Sequence, residues 1–164
     1  DLTSWCMFVA FDVIFLEGPQ AQTIIQAALQ ECGIYGRYVP PGEITNLPLV
    51  VRRSILTKVV APIPNRVDIV PSRIVTTQDT ALRKEQIESY FNELTLAGEE
   101  GLVIKNLNSC YELGEKSRGM ALWVKMKPEY GDQTEDLDLL ILGDRIILLL
   151  IALINTTAIT TALC

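Results

Sequence analysis

The chain has 164 residues, with 14 Lys and Arg against 20 Asp and Glu, for a net charge of −6. That length suits one ordinary domain or a piece of a larger protein. An acidic balance excludes coating nucleic acid by bulk electrostatics, so any DNA contact must be local or made by other domains. The absence of histidine removes Ser-His triads, Cys-His dyads and His-ligated zinc together.

The first residues, DLTSWC, carry no initiator Met, basic n-region or signal peptide and read as a start inside a larger protein. "MFVAFDVIFL" (7–16) is an apolar, β-branched run that predicts a strand buried on both faces. Asp12 is its only charge and should meet donors, a cation or a strand end, because a buried unpaired carboxylate is costly. "AQTIIQAALQECG" (21–33) has helical apolar spacing and stops at Gly33. "GRYVPPGEITNLP" (36–48) reads as loop, and "LVVRRSILTKVV" (49–60) as a second amphipathic helix with Arg52 and Arg53 on a solvated face. "RVDIV" (66–70) predicts a short strand among prolines. In "DTALRKEQIESYFNELTLAG" (79–98), Leu82, Ile87, Tyr90, Phe91 and Leu94 share one side of a helix that Gly98 closes. The four cysteines, Cys6, Cys32, Cys110 and Cys164, form no C-x-x-C pair and are expected as free, mostly buried thiols of a reducing compartment.

Chemistry concentrates in residues 99–130. "GLVIK" (101–105) predicts a strand with Glu100 at its mouth and Gly101 allowing a close backbone approach. A polar loop, "NSCYELGEKSRGM" (108–120), leads to "LWVKMKPEY" (122–130). In an extended strand Lys125 and Lys127 leave the same face, with Trp123, while Leu122, Val124 and Met126 line the other. If the strands are neighbours, Glu100 lies near both lysines. Spacing alone leaves two readings: lysines solvated beside Glu100 and Glu129, or a carboxylate holding Mg²⁺ while lysines hold phosphate oxygens.

"FDV" (11–13), "EEGLVIK" (99–105) and "WVKMKPEY" (123–130) resemble, in order and separation, motifs III, IV and V of ATP-dependent DNA ligases. "PIPNRVDIV" (62–70), "WVKMKPEY" and "DLDLLILG" (136–143) look most like the type IV, end-joining branch of the eukaryotic enzymes. The resemblance covers residues 7–16 and 43–143. It implies a nucleotidyltransferase that forms a lysyl-AMP from ATP, passes the AMP to the 5′-phosphate of a DNA break and seals the strand. By the same resemblance, Phe11 matches the aromatic that stacks on adenine and Glu100 the carboxylate that binds Mg²⁺. Lys125 and Lys127 match the lysines on the α-phosphate. Lys105 matches a further nucleotide contact, although an ideal strand sets it on the face opposite Glu100, so that a bulge or strand end would be needed. Asp12 follows the stacking residue and is family-typical, with a buried hydrogen-bonded carboxylate as the other reading. Arg52 aligns with a family arginine, with a surface helix charge as the other.

The fold class expected is α+β: residues 1–131 as the C-terminal part of a ligase-type nucleotidyltransferase (ATP-grasp-like) domain, then 132–143 as the first strand of an OB-fold. Residues 144–164 are an apolar stretch without family counterpart. Within it, Ile146 to Leu163 carries no charge and just reaches the ~18 residues of a membrane span. It is expected first as a non-native tail, second as a buried segment and third as an anchor. Residues 17–42 read as an insertion. No lysine is followed by x-Asp-Gly, so the nucleophile is expected upstream and no catalytic residue is assigned here. The expected cofactors are ATP and Mg²⁺. The expected partners are nicked or broken duplex DNA and an end-joining scaffold protein, no membrane is expected, and the nucleus is the expected location. The alternatives are an RNA ligase or capping-type nucleotidyltransferase, and a catalytically inactive nucleotide-binding or interaction module.

Overall fold

A computed structural model describes residues 7–112, 123–128 and 148–153. The chain divides into two units, Asp1–Val70 with Asn108–Lys116, and Pro71–Leu107 with Ser117–Cys164.

In the first unit the apolar run 7–16 is not one buried strand. It breaks into β1 (Phe8–Ala10) and β2 (Phe15–Leu16), with residues 11–14 between them in neither. Phe8 and Phe15 are exposed rather than buried. The break falls at Asp12, whose carboxylate turns inward to an arginine and draws the backbone out of the ladder. β1 pairs in parallel with β4 (Val67–Ile69), the strand expected within "RVDIV". β2 pairs antiparallel with β3 (Gly42–Glu43). The helices α1 (Ala21–Glu31) and α2 (Leu49–Val59) lie where apolar spacing sets them. Ile25, Ala28 and Leu29 of α1 join Val51 and Ile55 of α2 in a core completed by Val39, Ile44 and Leu47. The stretch that reads as an insertion is therefore part of this unit's core.

In the second unit a four-stranded antiparallel sheet has the order β5-β8-β6-β7, formed by Ser72–Val75, Leu148–Leu153, Gly101–Asn106 and Trp123–Met126. A six-residue piece of the apolar stretch thus supplies an inner strand, its backbone paired to β5 and β6. Helix α3 (Thr80–Leu96) starts at Asp79, whose side chain accepts from the amides of Ala81 and Leu82 and so satisfies orphan donors of the first turn. Its Ile87, Tyr90, Phe91 and Leu94 pack with Val75, Leu102 and Ile104, and Val124 and Met126 complete that core. Leu82, expected on the same side, is exposed because it sits in the first turn. Cys32 is half-buried and Cys110 is exposed rather than buried; both are free thiols. No helix of the described residues is long and apolar enough to cross a membrane. The expected OB-fold strand (132–143) lies outside the described residues.

Candidate functional site

Glu100 and the lysine strand come together through the pairing of β6 with β7. The register sets Leu102 opposite Met126, Val103 opposite Lys125, Ile104 opposite Val124 and Lys105 opposite Trp123. Directly paired residues share a face. Leu102, Ile104, Val124 and Met126 therefore face α3, and Val103, Lys105, Trp123 and Lys125 lie on the other side. Leu122 and Glu129 lie outside the described residues.

The Nζ of Lys127 donates to Oε1 of Glu100 and forms an ion pair with it. With 31% of the lysine side chain and 29% of the carboxylate side chain accessible, the pair is within reach of solvent and of a ligand. Lys125 is exposed. Gly101 makes this meeting possible. Its φ is +136°, and a Cβ built on it would lie 2.1 Å from the backbone oxygen of Met126, so only glycine lets the two strand ends approach so closely.

Lys105 is placed differently. It is buried at the far end of β6, with Nζ 3.4 Å from the centroid of the Trp123 ring, a cation–π contact. The register is unbroken from Leu102 to Lys105, so no bulge brings it back. Five strand residues correspond to about 17 Å between the backbones of Glu100 and Lys105. The structure joins Glu100 to Lys127 and does not bring Lys105 to them.

In the first unit Phe11 stands where the chain leaves β1, with 46% of it exposed. Asp12 is buried as expected, and its partner is Arg52: Nε to Oδ1 at 2.9 Å and Nη2 to Oδ2 at 3.1 Å. Arg52 is not a surface charge. It is fully buried, donates also to the carbonyls of Leu47 and Ser109, and lies over the Tyr111 ring. Sequence held a signal for this: Leu49, Arg52, Ile55 and Leu56 follow helical spacing on the apolar side of α2, facing the need of Asp12 for a cation. Arg53, also read as solvated, is half-buried and donates to the carbonyls of Phe11 (3.2 Å) and Val70 (3.1 Å). Desolvation lowers its pKa, and Asp12 partly offsets this.

Among the described residues no three carboxylate, cysteine or histidine groups gather into a metal site. A single accessible carboxylate still fits Mg²⁺, which is commonly held by one or two carboxylates together with water and phosphate oxygens. Glu100 meets that requirement only with a phosphate beside it.

The family model described as "ATP dependent DNA ligase domain" matches residues 2–127. The chain is 32% identical to DNA ligase 4 of Candida albicans over 143 residues, which is 86% of this chain and 12% of that protein. With DNA ligase 4 of Saccharomyces cerevisiae the identity is 34% over 110 residues, 65% of this chain and 10% of that protein. With the Arabidopsis thaliana protein of the same name it is 31% over 116 residues, 65% of this chain and 9% of the relative. The chain thus spans about an eighth or less of the length of these relatives. No solved structure gives a significant match.

Proposed function

We propose, from the premise that this chain belongs to the ATP-dependent DNA ligase family, that it serves ATP-dependent sealing of DNA breaks of the end-joining kind. The observation that carries this reading is the junction of Glu100 with Lys127 beside the exposed Lys125, at the adjoining ends of two paired strands.

In this proposal Phe11 stacks on adenine. Lys125 and Lys127 donate to the α-phosphate. Glu100 holds Mg²⁺, which when bound neutralises charge on the phosphate oxygens. Lys105, buried against Trp123, adds positive charge to the β6–β7 pair. The attacking amine belongs to a Lys-x-Asp-Gly lysine outside these 164 residues. Its nitrogen forms a bond to the α-phosphorus as the bond to the bridging oxygen breaks and pyrophosphate leaves. The AMP then passes to a 5′-phosphate, and a 3′-hydroxyl oxygen displaces AMP to close the strand. Each step is a phosphoryl transfer, so the residues here act by alignment and charge stabilisation. The same proposal takes residues 1–131 as part of the nucleotidyltransferase domain and 132–143 as the start of an OB-fold, with 144–164 as a stretch peculiar to this chain. Its setting is the nucleus, its substrate nicked or broken duplex DNA, and its partner an end-joining scaffold protein.

The test is calorimetric titration of the chain with ATP and Mg²⁺. ATP is expected to bind, and Lys125→Ala and Lys127→Ala are each expected to weaken it about tenfold, the loss of a hydrogen bond to a charged group. No binding, or binding indifferent to both substitutions, would refute this assignment.

A further inference from the structure

The four residues between β1 and β2 are not an idle connection. Arg53 donates to the carbonyl of Phe11. Arg52 grips the carboxylate of Asp12 with two nitrogens. The amide of Val13 donates to Oδ1 of Asp12 at 2.8 Å, and the carbonyl of Ile14 accepts from the amide of Ile44 at 2.9 Å. Every residue from 11 to 14 is thus tied to a fixed neighbour, while the Phe11 ring stays half exposed. A half-exposed aromatic side chain on an immobilised backbone is a preorganised stacking platform.

The grip of Arg53 is specific in its geometry. Phe11 and Val70 are the first residues past the ends of β1 and β4, and the amide of Val70 donates to the carbonyl of Ala10 at 2.9 Å. Their own carbonyls point beyond the last rung of this parallel ladder, where one guanidinium spans both. Its planar fork suits two acceptors at once, as an ammonium does not. Keeping a cation half-buried there has a desolvation cost, seen in its lowered pKa, which a purely decorative surface charge would not incur.

We propose that Arg53 is a positioning residue for nucleotide binding: by tying Phe11 to the end of the β1–β4 pair, it fixes the ring that stacks on adenine. This rests on the reading of Phe11 as the adenine contact. Arg53 then acts on the base and not on the phosphates, and its effect passes through Phe11.

The test compares ATP with inorganic tripolyphosphate, which has no base, by calorimetry on the 164-residue chain with Mg²⁺. Phe11→Leu and Arg53→Gln are each expected to weaken ATP binding roughly tenfold and leave tripolyphosphate binding unchanged. The double variant should bind ATP no worse than either single one, the non-additivity of residues acting as a unit. Arg53→Lys should fall between wild type and Arg53→Gln, and it serves as the readout if Arg53→Gln does not fold. Equal weakening of tripolyphosphate would make Arg53 a phosphate contact and overturn the proposal, as would multiplicative losses in the double variant. ATP binding that depends on Phe11 but not on Arg53 would sink this inference alone. A wild-type chain that binds no ATP would remove the nucleotide reading and this inference with it.

Discussion

Asp12 and Arg52 are a buried ion pair with two bonds between them and two further carbonyls on the guanidinium. Such a pair adds little over well-packed apolar residues, but removing one partner strands the other without water. Arg52→Met is therefore expected to destabilise the chain by about 3–5 kcal/mol, read as the shift of a urea unfolding midpoint. A cost below about 1 kcal/mol would mean that Asp12 finds another donor. The sequence displayed the need, in one carboxylate within an apolar run, but adjacent arginines on an amphipathic helix look alike on paper. Which of them turns inward depends on where α2 meets Asp12, and that is a tertiary fact. Glu100, Gly101 and Lys127 were more legible, since strand alternation and a glycine at the strand mouth already specify a close approach.

At the scale of elements, the helices followed their apolar spacing, and the strand pair β6–β7 adopted the register that alternation requires. The run 7–16 did not, because periodicity cannot tell a continuous buried strand from two short ones split by an inward-turned charge. The β6–β7 junction offers a sharp test. Gly101→Ala must displace the Met126 carbonyl, 2.1 Å from the new Cβ, and also adopt a φ of +136°. The strain should cost at least about 1–3 kcal/mol and separate Glu100 from Lys127, seen as a lower melting temperature with weaker ATP binding. Unchanged melting would show the strand ends to be looser than described. The caps of α1 and the face of α3 set the alkaline limit. Burial raises the Cys32 thiol above its ordinary 9.0, with Glu31 adding to the effect. Burial likewise raises the Tyr90 hydroxyl above 10.0. Both groups are neutral when folded, so their stability contribution is intact below those ordinary values and is lost as pH rises through the raised ones. Melting temperature should hold to about pH 9 and fall above it, and Cys32→Ala should blunt the onset. A rise in stability above about pH 10 would reverse the assigned direction.

For the molecule as a whole, the α+β elements were foreseeable, but not their division into two units, because residues 108–112 return to the first unit after β6 has been laid in the second. Nor was the inner strand from residues 148–153 foreseeable, since an uncharged run carries no mark of its partner strands. The family was legible because its motifs are short, ordered and chemically specific, as the match over residues 2–127 bears out. The most direct measurement of function is nick sealing by a chimaera in which this chain replaces the 143-residue matching stretch of Candida albicans DNA ligase 4. The chimaera should seal nicked duplex DNA with ATP and Mg²⁺. Lys125→Ala and Lys127→Ala should each slow sealing by ~10²-fold or more, as for loss of one preorganised donor to a reacting phosphate. Stability should be lowered by no more than about 0.5 kcal/mol for Lys125→Ala and about 1 kcal/mol for Lys127→Ala, which also loses its ion pair with Glu100. Sealing by both variants at near the parent rate would contradict the account, leaving the β6–β7 end an ordinary strand pair.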